Sequence, residues 1–458
     1  MSDRDAELAR GIEQLCVNEL VNSTLAILLA ASRGAGRDCP RAQAIIARRL
    51  ALAARAAEHD AGEARSLLSA GVGNQLALLL RDFAQDLASD DSPRARAGRR
   101  VCAHAASALA DLASSRLGAA AKAALAAEGA IEALLDTISL GAGRISDPTC
   151  VSFTQACRAI GNLTFGLDDS GATACKSRVL LFACRSRRLA ALDRDRSLDR
   201  RSASEDSHPV ECVCAETIAP ARSSGACGAN ILAAAVCRTV PGRGRGRSSA
   251  ACRWALHSIA SVAYGRAPNR AQTLLAGAGA LGSVIGVIAA AAARGPSAAT
   301  DGASMGCVVA ECDNDRCPEL LDDLDDRVVA AALTALANLV FRHDENRAAA
   351  LSSGNVVADT ECVLAERLSR ADSSQRLNAV VEAALFALAS LLGDAGSCPG
   401  AGSSAGAGAG ASTGAGTGVG ACVGAGASRA RELAAIAAAK LPGSRAVARW
   451  STFLREKS

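Results

Sequence analysis

Aromatic side chains and lysines are scarce in this sequence of 458 residues. It contains seven Phe, two Trp and one Tyr, and its lysines stand only at positions 122, 176, 440 and 457. Half of the residues are apolar, but most of these are Ala and Leu. Ala and Leu favour helices, whereas strands draw on β-branched and aromatic side chains. The composition therefore predicts an all-α protein whose helices pack closely on small side chains.

The chain also lacks a large excess of one charge. Lys and Arg total 50, Asp and Glu total 46, and the formal net charge is +4. Such a balance does not by itself indicate a nucleic-acid or membrane partner. Arg-rich stretches at 184–201 and 243–247 could contact phosphates, but Asp interleaves the first and neither stretch contains an aromatic residue for stacking. A nucleic-acid partner is therefore not favoured.

The sequence begins with MSDRDAELARGIEQL, which is charged and contains no signal-peptide core. Eighteen cysteines would suggest disulfides in a short secreted chain. Here several of them lie in Ala/Leu-rich helical runs, where Cys behaves as a small hydrophobe. We therefore expect a reduced, cytoplasmic protein, with the nucleus as the alternative. The uncharged stretch 271–293 has the length of a membrane span, but Ala and Gly insert weakly, so we expect a buried helix pair.

Similar stretches recur along the chain. Residues 330–354 read AAALTALANLVFRHDENRAAALSSG, and residues 253–279 read RWALHSIASVAYGRAPNRAQTLLAGAG. Residues 49–71 read RLALAARAAEHDAGEARSLLSAG. Each contains the apolar end of a helix, a short polar break, a short helix and a turn with Gly. The apolar residues recur at helical spacing, so the sequence predicts helical units that stack on one another.

This pattern resembles the armadillo repeat, which has a short first helix, a second helix led by Gly, and a long third helix that ends in Ala-Leu-x-Asn-Leu. The resemblance covers roughly residues 40–393, with spacings wider than the usual repeat of about 40–47 residues. It implies a right-handed α-solenoid of about six degenerate armadillo-type repeats with helical caps. Such short Ala-rich motifs also fit HEAT-type solenoids, so the subtype stays open.

In armadillo proteins the third helices line a concave groove, and an Asn near each helix end binds the extended backbone of a partner. The resemblance assigns seven residues of this sequence to such a groove. They are Asp111, Arg158, Asn162, Trp254, Ser258, Asn338 and Ser390. Nuclear-import armadillo proteins carry a Trp four residues before each groove Asn. Here only Trp254, before Ser258, has that placement, so an import receptor is not expected.

The domain organisation follows from these matches. We expect capping helices over 1–40, the armadillo-like array over 41–393, a flexible Gly/Ala/Ser-rich linker over 394–428 and a helical segment over 429–458. Within the array, polar stretches at 184–224 and 294–325 separate matching helices. We expect both to be insertions, because loops tolerate added length at little cost.

Gly277-x-Gly279-x-x-Gly282 matches the dinucleotide-binding fingerprint as text. A dinucleotide site needs a preceding strand, however, and the residues before Gly277 are polar and helix-like. The same place in the other stretches is a turn with Gly, so we interpret the motif as a turn between helices.

Two groups of Cys and His residues could ligate a metal ion. They are His208, Cys212 and Cys214, and Cys307, Cys312 and Cys317. Neither group has the C-x₂₋₄-C spacing of structural zinc sites, so no metal is expected. His59 and His343 occupy equivalent breaks after long helices, and we interpret them as parts of helix-capping turns and not as a catalytic pair.

These observations favour a non-catalytic scaffold for protein–protein interactions, with no cofactor and no small-molecule substrate. Its partner would bind along the groove and could be a cytoskeletal protein, a ciliary protein or a small GTPase. Two alternatives remain open at this point. One is a regulator of a small GTPase with exchange or chaperone-like activity, and the other is a membrane-associated scaffold that uses residues 271–293.

Overall fold

The structure is a computed structural model that describes the helical parts of the chain. The described residues are 29–30, 32, 39–89, 92–141, 150–166, 170–182, 227–239, 249–265, 270–293, 317–353, 355–370, 375–392 and 417–456. Within these ranges every regular element is a helix, and no strand occurs. The all-α class predicted from the Ala/Leu-rich composition is confirmed.

The described residues form eighteen α-helices. They are α1 Pro40–Ala56, α2 Ala61–Ser69, α3 Val72–Phe83, α4 Pro93–Ala113, α5 Ala119–Ala127, α6 Ala130–Gly141, α7 Cys150–Thr164, α8 Ser170–Leu181, α9 Cys227–Thr239, α10 Ser249–Ala263, α11 Arg270–Gly277, α12 Ala280–Ala292, α13 Cys317–Val340, α14 Asp344–Ser352, α15 Val356–Ser369, α16 Gln375–Leu392, α17 Thr417–Lys440 and α18 Arg445–Glu456. Short helices such as α2, α5 and α14 are each followed by a second helix and then by a longer one.

Left-handed glycines join the short helices to the second helices. Gly71, Gly129 and Gly279 have φ values of 82°, 78° and 85°, and each directly precedes the second helix. Glycine adopts this conformation without the steric cost that a Cβ atom brings. These are the turns with Gly that the sequence predicted, and they change the chain direction within two residues.

The chain divides into two compact units. Unit 1 comprises Met1–Val262 with Gly277–Ala280, and unit 2 comprises Ala263–Ala276 with Leu281–Ser458. In unit 1 the long helices α1, α4 and α7 pack side by side, and the second helices α3 and α6 pack against them and against each other. In unit 2, α13 packs beside α16, while α15 and α18 also contact α16.

The core of unit 1 consists mainly of aliphatic side chains on the long and second helices. Ile46, Leu50, Leu76 and Leu109 are completely buried. Burial of one such side chain contributes about 1.5–3 kcal/mol relative to exposure. Many of the other buried residues of this unit are Ala, such as Ala42, Ala77 and Ala105.

The three lysines within the described residues each bond to a carbonyl oxygen at or near a helix end. The bonds run from the Nζ atoms of Lys122, Lys176 and Lys440 to the carbonyls of Phe165 (2.6 Å), Gly166 (3.2 Å) and Leu368 (2.6 Å). The last carbonyls of a helix lack intrahelical partners, and a cation there also interacts favourably with the helix dipole. The rare lysines therefore tie neighbouring helices to the ends of α7 and α15.

The second stretch predicted as an insertion, 294–325, is partly helical, because α13 begins at Cys317. The acidic sequence there suggested a loop, but Leu320, Leu324 and Val328 follow each other at intervals of four residues. That interval is typical of a helix. The many acidic residues of the segment thus obscured the helical spacing of its apolar residues.

Helix α17 begins at Thr417, inside the range 394–428 that was predicted as a linker. Ala residues between the glycines there favour helix formation. Helices α17 and α18 together occupy the C-terminal segment. The stretch 184–224 and most of 1–40 lie outside the described residues.

No single described helix is long and apolar enough to cross a membrane, although the pair α11 and α12 meets the length and composition criteria together with a 70° bend. The side chains of Ala271, Gln272 and Leu275 in α11 are buried within the protein. Helix α11 therefore packs inside unit 2.

Candidate functional site

Three of the predicted groove residues form a continuous row across three long helices of unit 1. Asp111 lies on α4, Arg158 on α7 and Trp254 on α10. The Nη2 atom of Arg158 is 2.6 Å from the Oδ1 atom of Asp111. On its other side, the guanidinium carbon of Arg158 lies 5.9 Å from the centroid of the Trp254 ring. The arginine thus bridges a carboxylate and an aromatic ring.

The acidic end of this row is withdrawn from solvent. The side chain of Asp111 is 5% exposed, whereas that of Arg158 is 24% exposed. Burial raises the pKa of Asp111 above its ordinary value, and the attraction of Arg158 lowers the same pKa by a smaller amount. The row therefore exposes the guanidinium to solvent and not the carboxylate.

Trp254 is surrounded by basic side chains. The guanidinium carbon of Arg253 lies 4.6 Å from its ring centroid, closer than that of Arg158. The imidazole ring of His257 packs edge-on, with its centroid 5.3 Å from that of Trp254 and an interplanar angle of 84°. Burial and the charge of Arg253 lower the pKa of His257, so the imidazole is neutral at pH 7. Cation–π attraction stabilises both arginines over the ring.

His257 also fixes the contact between α10 and α7. A Cβ atom added to Gly161 would lie only 2.5 Å from the Cδ2 atom of His257. Only glycine fits at this point, because the imidazole ring lies directly against the backbone of α7. Gly161 therefore permits the close approach of the two helices that carry Arg158 and Trp254.

Asn162 and Ser258 bond to backbone carbonyls of the neighbouring helix. The Nδ2 atom of Asn162 donates a hydrogen bond to the carbonyl of Ala110, at 3.0 Å. The Oγ atom of Ser258 lies 2.7 Å from the carbonyl of Cys157 and is completely buried. Ser258 therefore connects α10 to α7 inside the protein, while the half-buried Asn162 keeps a second amide hydrogen.

Asn338 and Ser390 belong to unit 2 and are not part of this row. Asn338 is 7% exposed, and its carbonyl accepts a hydrogen bond from the Nε2 atom of Gln272 at 2.7 Å. Ser390 is 6% exposed and its Oγ atom donates to the carbonyl of Phe386 at 2.8 Å. Both residues are thus integrated into the packing of α13 and α16.

The contacts of α10 indicate a register three residues away from the one predicted. Arg158, four residues before Asn162, reaches back to the preceding long helix α4. On α10 the residue that makes the corresponding contact is His257, which lies against Gly161 of α7. The residue four positions after His257 is Ser261. Ser261 therefore occupies the place of Asn162, and it is 2% exposed.

A sequence signal for this register was available. The stretches AIGNLTFG, SIASVAYG and ALANLVFR align without a gap when Phe165, Tyr264 and Phe341 are matched. These aromatic residues stand at the helix ends, three positions after Asn162, Ser261 and Asn338. His257 and Ser261, which the sequence analysis missed, follow from that alignment.

The predicted capping role of His343 is confirmed. Its Nδ1 atom accepts a hydrogen bond from the backbone nitrogen of Asn346 at the beginning of α14. The Nε2 atom therefore carries the proton and donates to Thr273 Oγ1, at 2.8 Å. In the equivalent turn the residue after His59 performs this role, because Asp60 accepts from two backbone nitrogens of α2.

The glycine motif lies between two helices. Gly277 is the last residue of α11, and Gly279 stands in the turn before α12. The strand that a dinucleotide site requires is replaced by a helix, which confirms the interpretation as a turn. The Cys and His groups lie outside the described side chains, and the described part of the chain contains no cluster of three or more potential metal ligands.

Comparisons with known proteins give no family assignment. No family model matches the chain, and no curated protein matches its sequence. A crystal structure of an engineered protein is similar with a TM-score of 0.42 and 17% identity, over 80% of this chain and 97% of the other. A structure from a study of a phosphorylation switch between cadherin and beta-catenin has a TM-score of 0.32 and 16% identity, over 99% and 83%. Both scores are too low to support an argument about this chain.

Proposed function

We propose that this protein is a non-catalytic scaffold that binds a partner protein along the long helices of an armadillo-type, right-handed α-solenoid. The observation that carries the proposal is the continuous row of Asp111, Arg158 and Trp254 across α4, α7 and α10. Support for the solenoid comes from the recurring order of a short, a second and a longer helix, with about six such units by sequence. Such arrays present extended surfaces for partner binding.

The row favours an acidic partner segment. Two arginines of the protein itself lie over Trp254, at 4.6 and 5.9 Å. A basic segment would meet like charges there, whereas a carboxylate would pair with either guanidinium.

Asn162 lies one helical turn after Arg158 on α7, so both residues face the same side of that helix. The second amide hydrogen of Asn162 can bind a carbonyl oxygen of an extended partner. We assign backbone binding to Asn162 and recognition of acidic side chains to Arg158 and Arg253. Arg is enriched and energetically important at protein interfaces, as is Trp.

The proposal can be tested by comparing the proteins that co-purify with the tagged wild-type chain and with variants. Trp254→Ala and Asn162→Ala should each reduce the capture of specific partners by about tenfold or more, as expected for interface hot spots. Arg65→Ala is a matched control, because Arg65 is exposed on α2 of the same unit. Helical content and thermal unfolding show whether each variant is folded. Retention of every partner at wild-type affinity by both variants would refute the groove assignment.

A further inference from the structure

Four of the ten aromatic residues of the chain form one cluster in unit 2, which we call the aromatic edge. It comprises Phe341, Phe386, Trp450 and Phe453. Successive ring centroids are 6.0, 4.6 and 6.1 Å apart, and the rings of Phe386 and Trp450 are stacked at 23°. All four residues are half-buried. The chain has few aromatic residues, and another of them, Phe83, is buried in the core with an exposure of only 2%. The four residues of the aromatic edge are instead grouped where they remain partly exposed.

The amphipathic pattern of α18 explains why the edge stays partly open. Val447, Ser451 and Leu454 form its buried stripe, at i, i+4 and i+7. Trp450 and Phe453 lie beside this stripe and are half-buried. The docked helix therefore adds two rings to a surface that begins at Phe341 and Phe386.

Two exposed arginines lie over rings of this edge. The guanidinium carbon of Arg342 is 5.1 Å from the ring centroid of Phe341, and that of Arg449 is 5.0 Å from the ring centroid of Trp450. Trp and Arg are the residues most enriched in binding hot spots, and large aromatic side chains are enriched in interface cores. The charge of the edge makes it complementary to acidic groups.

The backbone at Arg342 adds an independent observation. Its φ is 55°, and among the described residues it is the one non-glycine residue in the left-handed region. The matching positions after Phe165 and Tyr264 are Gly166 and Gly265. A side chain is disfavoured in this conformation, and such departures concentrate at functional sites. His343 caps α14 immediately afterwards and holds the turn in place.

We propose that the aromatic edge is a docking surface for an acidic segment of another protein that also carries apolar side chains. The apolar side chains would pack on Phe386 and Trp450, and carboxylates on either side would pair with Arg342 and Arg449. This surface belongs to a different unit from Asp111, Arg158 and Trp254, so the inference does not depend on the proposed function of that row.

The two tryptophans allow the two surfaces to be tested separately. In a Trp254→Phe variant of the full-length chain, Trp450 is the remaining tryptophan, and its emission reports on the aromatic edge. The probe is a synthetic peptide in which Asp alternates with Leu. We expect a saturable change in Trp450 emission, and affinity at least tenfold weaker for a peptide with Lys in place of Asp. No saturable change, or equal affinity for both peptides, would overturn the proposal.

A substitution of Arg342 distinguishes recognition from folding. Arg342→Gly should leave the thermal unfolding temperature unchanged or higher, because glycine accepts the left-handed backbone, and yet weaken peptide binding about tenfold. Arg370→Ala is the control, since Arg370 is an exposed arginine of the same unit that pairs with Glu366. If the Arg342→Gly variant binds the Asp–Leu peptide as tightly as the wild type does, the proposal is also overturned. Emission of Trp254 in a Trp450→Phe variant tests the row in unit 1 independently.

Discussion

Arg158 holds the carboxylate of Asp111 at 2.6 Å, and yet the pKa of Asp111 lies above its ordinary value. Burial of the carboxylate outweighs the attraction of one partly exposed guanidinium. The raised pKa of Asp111 has a measurable consequence for the pH dependence of stability.

The folded protein binds a proton at Asp111 more tightly than the unfolded chain does, because the pKa is raised from 3.8 on folding. The contribution of Asp111 to the free energy of unfolding is therefore most favourable at low pH and declines as the pH rises through the raised pKa. Urea unfolding of the wild type and of Asp111→Asn at pH values from about 4 to 7 measures this contribution. The stability of the wild type relative to the variant should fall across the range. A relative stability that is constant or rises with pH would contradict the prediction.

His257 provides a second pH-dependent observable. Burial first, and the charge of Arg253 second, lower its pKa below 6.5. Arg253→Ala removes the second cause, so the pKa of His257 should rise toward its ordinary value and remain below it. NMR titration of the imidazole Hε1 signal, assigned with a His257→Gln variant, measures the shift. An unchanged pKa would show that Arg253 does not act on the imidazole.

Gly161→Ala should destabilise the protein by about 1–3 kcal/mol, because the new methyl group would overlap His257. The control is Gly282→Ala in α12, where a Cβ atom meets nothing within 4 Å. There the helix propensity of alanine should raise stability by about 0.5–1 kcal/mol. Denaturant unfolding compares the two variants. Adding His257→Ala to Gly161→Ala should recover part of the loss, whereas a purely additive double variant would disprove the steric cause.

His343→Ala should reduce the free energy of unfolding by about 1 kcal/mol, since the first turn of α14 loses its side-chain cap. His343→Asn should retain most of the stability, because Asn is a favourable N-cap residue. Thermal unfolding of the three proteins tests whether stability decreases in the order wild type, Asn variant, Ala variant. Equal stability of the Ala and Asn variants would indicate that the cap contributes nothing.

The sequence predicted much of the local structure because the signals are local. The Ala/Leu composition indicates helices, the glycines at 71, 129 and 279 indicate left-handed turns, and the polar break at His343 indicates a cap. Each of these features depends on a few adjacent residues. The same reasoning located Asp111, Arg158 and Trp254 on helices that pack together in unit 1.

The register of α10 could not be obtained in the same way. A shift of three residues, from Ser261 to Ser258, keeps nearly the same helical face, and the Ala-rich sequence offers few large side chains to distinguish the two registers. The aromatic residue at the end of the helix, Tyr264, resolves the ambiguity. Large residues at helix ends are thus better alignment markers in this chain than the repeated Ala-Leu pattern.

The aromatic edge was absent from the sequence-based interpretation for a different reason. Phe341, Phe386 and Trp450 are widely separated in sequence, and their contact depends on how α18 docks on α16. That docking includes a 2.5 Å hydrogen bond from Ser444 to Glu382, which no periodicity could indicate. Tertiary contacts between distant segments create this surface.

The lysines that bond to carbonyls near helix ends have a consequence for any chemistry directed at amines. Acylating reagents, acetyltransferases and ubiquitin ligases all require the Nζ atom to be released from its carbonyl. Lys122 is only 8% exposed, so its modification requires local opening around the end of α7. The rate at which Lys122 is acylated would therefore measure how often that helix end opens.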